Sequence, residues 1–568
     1  MLTFSQYPYE QPKVEEVKRD FQQALSRFQA AADFESQLKA LKEIYQLREE
    51  FETMRDLAKV RHTADTTDEF YKAQNDFYDE NSPVYEGLVT DYYRALLKAR
   101  FREELEKEYG SLLFDIAEMA IKTHSPEVTE DLKVENRLGS QYMQVLASAQ
   151  IPFEGKTCTL AELTPYQSSP DRSLRQRAQE AKWQFMAENQ EKLDELYDQL
   201  VKVRHKIARK LGYENYLGLG YDRMMRAGYG PKEVAVFRQS IADHVVPFAS
   251  EIRKQQAQRL QLDSLKYYDE ALLFRDGNAK PQGDAAWIIE QGQEMYQELS
   301  SETDEFYRFM TDRQLMDLEV RKGKAGGGYC TYISRYKAPF IFANFNGTDG
   351  DIFVLTHEAG HAFQVYRSRG QKVTEYQWPT LEACEIHSMS MEFFAWPYMD
   401  KFFGEQAERY RYGHLLGAIL FLPYGVAVDE FQHFVYEHPE ASPAERKAAW
   451  REIEQKYLPH RTYEGNAFLE AGGFWQIQRH IYLMPFYYID YVLAQICAFQ
   501  FWMKAREDRE EAFRDYVQLC DQGGSMPFLE LVKFAGLDSP FEPATLAKVV
   551  EELKAYLEKE NEKWLNPA

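Results

Sequence analysis

Two histidines four residues apart, with a glutamate beside the first, stand at His357-Glu358-Ala-Gly-His361. On a helix both imidazoles lie on one face and can reach one ion. Glu358 then projects beside that ion toward a water in an open coordination position, the arrangement of a catalytic zinc site. With 12 His in 568 residues, chance alone supplies this pattern in roughly one chain in forty. The motif therefore needs a third ligand and groups that stabilise developing charge.

One class of third ligand is excluded directly. The metzincin extension requires Gly and His three and six positions after the motif, and this chain has Gln364 and Arg367 there. A carboxylate from a following helix is the remaining route. Leu381 to Phe394 reads as such a helix, on which Glu382, Glu385 and Glu392 share one face at spacings of three and seven. Acidic groups on an otherwise apolar helix need a cation or a donor if buried; a solvated stripe is the alternative. His387 points elsewhere and reads as a core or surface histidine.

Two further segments offer chemistry. Arg479-His480-Ile-Tyr482-Leu-Met-Pro485-Phe-Tyr487-Tyr488-Ile-Asp490-Tyr491 is dense in hydrogen-bond donors, and Pro485 suits a first helical turn. Tyr487 and Tyr491 would share a face, with Tyr488 flanking. The stretch Gly323 to Tyr329 lacks the pattern of a phosphate loop and reads as a flexible loop bordering a cleft. The adjoining strand 339–345 would take substrate backbone by edge pairing, with Gly327, Gly328, Phe342, Ala343 and Asn344 as candidate contacts; an ordinary buried strand is the equal alternative.

Helices must position most of this. Gly and Pro make up about 9% of the chain, below the roughly 12% of an average protein. Amphipathic periodicity predicts helices over 14–31, 36–60 and 85–109. Glu154-Gly155 between β-formers predicts a short hairpin at 150–160, and Ser169-Pro170-Asp171 starts a long helix. Helices then run to about Asp317, interrupted near 228–231 and 276–278. Asp349 or Asp351 would cap the motif helix and Gly370 would end it. A boundary near 195 divides an accessory helical lobe, 1–195, from the chemistry-bearing part, 196–568. The net charge of −23 makes nucleic acid an unlikely partner. No apolar stretch reads as a membrane span and the first residues lack a signal-peptide pattern, so a cytoplasmic location is expected.

The pairing of His357-Glu-x-x-His361 with Glu385-x-x-Ser388-x-x-x-Glu392 resembles the zinc oligopeptidase family of thimet oligopeptidase and oligoendopeptidase F, closest to the bacterial Pz-peptidase type. Arg204-His-Lys-Ile-Ala-Arg-Lys-Leu-Gly-Tyr213, and Gly155-Lys-x-x-x-Leu160 with Asp171-Arg172-x-x-Arg175, resemble further elements of that family. The similarity covers most of 150–568. It implies a mainly α, zincin-type metallopeptidase with a small sheet beside the motif helix and a deep channel between helical lobes. It also implies Glu385 as the third ligand of one zinc ion, Glu358 as general base and acid, His480, Tyr487 and Tyr491 as donors, and short unstructured peptides as substrates. Tyr488 could replace Tyr487 in that pattern. Two other readings stand beside it: a zinc carboxypeptidase or dipeptidase on a related scaffold, and a non-enzymatic helical peptide-binding protein.

Overall fold

The computed structural model describes residues 2–565, and these fold mainly into helices. The N-terminal helices span Val14–Gln29, Phe34–Ala64, Glu69–Leu97 and Arg102–Tyr109. Asp33 and Asp68 start the second and third of these by accepting the Ser36 and Tyr71 N–H groups at 2.8 and 3.0 Å. The helix expected over 85–109 is broken at 98–101 although no Gly or Pro marks the place. The Phe101 N–H donates instead to the buried Gln37 side chain, a tertiary partner that local periodicity does not show.

The hairpin β1 (Ile151–Phe153) and β2 (Lys156–Cys158) turns through Glu154 and Gly155, both at positive φ as a tight hairpin turn requires. Asp171 caps the helix Arg172–Glu188, its side chain accepting the Ser173 and Leu174 N–H groups. Residue 195 lies inside the helix Gln190–Lys210, so the chain is continuous where the sequence suggested a boundary. The helices also stop earlier than expected. Arg259 ends one helix and the next starts at Ala285. Between them the fully buried Asp269 carboxylate accepts from Arg172 and Arg175, each at 2.7 Å. Helix Ser301–Asp312 then gives way to a strand, β3 (Met316–Glu319).

β3 belongs to a three-stranded sheet with β4 (Tyr329–Ile333) and β5 (Ala338–Phe345), in the order β3-β5-β4. β5 runs parallel to β3 and antiparallel to β4, with Tyr329 opposite Phe342. The strand with the strongest β-forming sequence is therefore the central one. β5 passes into the motif helix, Gly350–Ser368, which packs on the helix Leu381–Phe394. Gly360 permits this packing: a Cβ there would lie 2.6 Å from the Ser388 Cα. The stretch Asp400–Glu437 is apolar and long enough to cross a membrane, but 67% of its apolar window is buried inside the protein, which makes it a core helix.

A cleft of about 940 Å³ separates two walls. Helices Phe34–Ala64, Glu69–Leu97 and Thr129–Ala147 form one wall. β4, the motif helix, the helix Leu381–Phe394 and residues 479–491 form the other.

Candidate active site

His357, Glu358 and His361 all line this cleft, and so does Glu385 from the neighbouring helix. Glu385 Oε2 lies 3.2 Å from His357 Nε2 and 3.3 Å from His361 Nε2. A tetrahedral zinc ion with spokes of about 2.0–2.1 Å sets its ligands about 3.3–3.4 Å apart. Three lone-pair atoms this close repel unless a cation or proton sits among them, so the donor set and its spacing fit zinc.

The helical spacing that makes this cluster also supports it from behind. Glu392, seven residues after Glu385, accepts from His357 Nδ1 at 2.7 Å, and its other oxygen faces His414 Nε2 at 2.7 Å. The Trp396 indole N–H donates to His414 Nδ1 at 3.1 Å. That fixes the His414 proton on Nε2 and keeps Glu392 an acceptor on both sides. His357 thus carries its proton on Nδ1 and presents the Nε2 lone pair to the cluster. Ser388 donates to Glu385 Oε2 at 2.8 Å.

Glu382 does not reach the cluster. It is fully buried on the other side, where it accepts from the Tyr229 hydroxyl at 2.9 Å. Glu382, Glu385 and Glu392 are all buried, so the solvated-stripe alternative does not hold. His387 is a core residue bonded to the Ala383 carbonyl at 2.6 Å.

Glu358 stands beside the cluster with Oε2 buried and unpartnered. Burial, only partly offset by His357 and His361, raises its pKa. Gly328 closes over it: a Cβ at that position would come within 3.0 Å of Glu358 Oε1.

His480, Tyr487 and Tyr491 face the same space. Pro485 is not in a helical turn; it lies in an irregular bend between the short helix Arg479–Leu483 and the helix Tyr488–Glu507. The Tyr487 hydroxyl donates to Glu385 Oε1 through a short bond. Tyr424 donates to Gln478 Oε1 at 2.8 Å, which turns the Gln478 amide N–H toward His480 Nδ1, also at 2.8 Å. Burial, aided by the Arg479 charge, lowers the His480 pKa to about 3. The ring is therefore neutral with its proton on Nε2, 3.3 Å from the Tyr491 oxygen. Tyr491 accepts that bond and keeps its own O–H free for the cleft. Tyr488 instead packs on Phe421 and Tyr424.

The substrate contacts expected from strand 339–345 need correction. β5 is central, so neither of its edges is free for pairing. Phe342 is buried beneath the Tyr329 ring. The Ala343 carbonyl accepts from Lys324 at 2.6 Å. The Asn344 amide holds the Ala325 and Gly327 carbonyls at 2.9 and 2.8 Å, bracing the glycine loop from beneath. Gly328 lines the cleft, whereas Gly327 lies against the Arg479 guanidinium. The strand facing the cleft is β4, through Tyr329, Cys330, Thr331 and Tyr332. Its Tyr, Thr and Ile residues are β-formers, but Gly326-Gly327-Gly328 beside it reads as a loop. Glu392 was visible as part of an acidic face and of the pattern that carries the resemblance, without a role of its own, and His414 and Trp396 carried no motif at all.

Comparison with known proteins agrees with this fold. A solved structure of Pz peptidase A with an inhibitor is 58% identical, with a TM-score of 0.97 over 98% of this chain and 99% of that one. A protein assigned as oligoendopeptidase F from Bacillus anthracis str. Ames is 54% identical, with a TM-score of 0.93 over 98% of each chain. Oligopeptidase PepF of Bacillus subtilis (strain 168) is 23% identical over 248 residues, which are 42% of this chain and 36% of that protein. The match thus spans about a third of the length of that curated relative. The peptidase M3 N-terminal domain matches residues 4–124 and peptidase family M3 matches 165–551. With well over half of its sequence matched, on this fold and around this cluster, the chain belongs to peptidase family M3, a family of metalloendopeptidases.

Proposed function

We propose that this protein is a zinc-dependent endopeptidase that hydrolyses internal bonds of short, unstructured peptides. The observation that carries the reading is the convergence of His357 Nε2, His361 Nε2 and Glu385 Oε2 beside the unpartnered Glu358 carboxylate, inside a two-walled cleft. His357, His361 and Glu385 would hold the zinc, which would supply Lewis acidity for the carbonyl and lower the pKa of a water toward neutral.

The protein's own groups then have separate tasks. Glu358 takes a proton from the attacking water at its carboxylate and returns it to the leaving amine nitrogen; its raised pKa suits a group that must do both. Tyr491 O–H is the donor aimed at charge developing on the carbonyl oxygen, and His480 Nε2–H, bonded to the Tyr491 oxygen, orients that hydroxyl and strengthens it as a donor. Tyr487, resting on Glu385, orients that ligand and lies next to Tyr491, with ring centroids 4.8 Å apart. The cleft-facing edge of β4 would hold an extended peptide by strand addition. A cleft of this size accepts an extended peptide of a few residues and no folded domain.

Two substrates test the reading. A fluorogenic peptide blocked at both ends should be cut, and metal chelation should abolish that cutting reversibly. Native albumin should survive. Degradation of the native protein with no cut in the blocked peptide would reject the proposal. Cleavage that requires a free terminus would favour the carboxypeptidase reading instead.

A further inference from the structure

Tyr487 owes its place to a backbone conformation that its own sequence does not favour. The residue before it, Phe486, has φ of +69° and is the one aromatic among the non-glycine residues at positive φ in the described chain. Such a conformation persists only where the surroundings over-determine it. Here both backbone polar groups of Phe486 are held by buried side chains from distant parts of the chain. Gln432 Oε1 accepts the Phe486 N–H at 2.9 Å, its own amide N–H being committed to the Val428 carbonyl. Arg226 Nη2 donates to the Phe486 carbonyl at 2.5 Å and to Asp490 Oδ1 at 2.7 Å. The Phe486 ring seats against Gly220, where a Cβ would come within 2.5 Å of it.

Arg226 therefore grips the chain at two points, one residue before Tyr487 and one before Tyr491. It lines no part of the cleft and is buried, with its guanidinium 4.6 Å over the Tyr221 ring centroid. Met225, just before it, is also at positive φ, with φ of +55°. The two ends of the clamp each adjoin a left-handed residue, which an ordinary structural ion pair does not need.

We infer that Arg226 is a positioning residue for Tyr487: it fixes the 486–487 peptide so that the Tyr487 hydroxyl meets Glu385. The inference rests on the catalytic reading above for its kinetic consequence, and on geometry alone for its structural one.

A double-mutant cycle separates positioning from general stability. Arg226→Met should lower kcat about 10- to 100-fold, with KM changed less than about threefold and zinc content retained. In a Tyr487→Phe background the same substitution should cost at least about threefold less than it does alone, because the group it positions at the 486–487 peptide is already gone and only its contact with Asp490 beside Tyr491 remains. An equal loss in both backgrounds, or a loss in KM alone, would overturn the inference. If Arg226→Met does not fold, Gly220→Ala displaces the same Phe486 ring and enters the same cycle with the same two outcomes. A crystal structure of the folded variant gives an arm independent of catalysis. Departure of Phe486 from positive φ with loss of the Tyr487–Glu385 bond supports the inference, and an unchanged bend overturns it. Full kcat in Tyr487→Phe alone would reject the role given to Tyr487 above, while leaving this structural arm to decide the clamp.

Discussion

The two sides of the candidate site are built by different means. The ligand side consists of two regular helices whose backbone groups bond internally, so side-chain identity and spacing suffice. His357 and His361 are one turn apart, Glu385 and Glu392 two turns apart, and Gly360 lets the two helices approach. The donor side consists of a short helix, an irregular bend and the start of another helix. Its backbone is completed by Arg226 and Gln432, more than fifty residues away in sequence. The lesson is that a local repeat sets the spacing of the candidate ligands within each helix, whereas placement of the donors depends on distant contacts with the backbone itself.

Substitutions on the two sides should accordingly fail in different ways. The largest effect is expected at Glu358, which belongs to the ligand helix but binds nothing. Glu358→Gln should reduce turnover by about a thousandfold or more while zinc content by elemental analysis stays near one per chain. Loss of zinc in this variant would place Glu358 among the ligands.

Next come the donors. Tyr491→Phe should lower kcat by roughly 10²–10³ with little change in KM or zinc content, since its free O–H acts only when charge develops. Tyr487→Phe should lower kcat and also speed zinc loss to a chelator, because its hydroxyl is bonded to a ligand. Identical behaviour of the two variants would erase the distinction drawn between them.

A smaller effect tests the support behind the ligands. Glu392→Gln should weaken zinc binding roughly 10- to 100-fold in chelator competition, since the amide has one acceptor oxygen for the two N–H donors of His357 and His414 and no negative charge to raise the basicity of His357. Glu382→Gln, on the same helix face but turned to Tyr229, should leave zinc affinity unchanged. The reverse pattern would move the ligand assignment by one helical turn.

The smallest effect concerns the glycine loop. Asn344→Ala removes two hydrogen bonds to the Ala325 and Gly327 carbonyls and should cost about 1–3 kcal/mol in denaturant unfolding. If substrate instead contacted Asn344, KM would rise without that loss of stability.

How much of this was legible follows from how each part is held. The hairpin at 151–158, the motif helix and the acidic helix face were readable because each obeys a local period or a turn preference. The helix break at 98–101 was not, because the hydrogen bond that causes it comes from Gln37. β3 and the irregular segment 260–284 were likewise hidden, the first behind a parallel partner at a distance in sequence and the second behind the buried Asp269 cluster. Edge pairing was assigned to the wrong strand. β5 has the sequence of the better strand for the same reason that it cannot serve: it is buried between two neighbours.

By itself the sequence determined that this chain is mainly helical, that His357, Glu358 and His361 share a helix, and that a carboxylate from 382–392 could join them. These follow from short-range geometry, which a helix imposes wherever it forms. Helical spacing left Glu382 and Glu385 open and the family resemblance alone chose Glu385; the tertiary structure brings Glu385 to the histidines, stands Glu392 and His414 behind them, and turns β4 to the cleft. It also decided that Tyr487 and Tyr491, not Tyr488, point inward. Those outcomes depend on the rotation of one helix against another and on a bend at Phe486 held by Arg226. Neither is written in any local period, because each is fixed by side chains that meet only after the chain has folded.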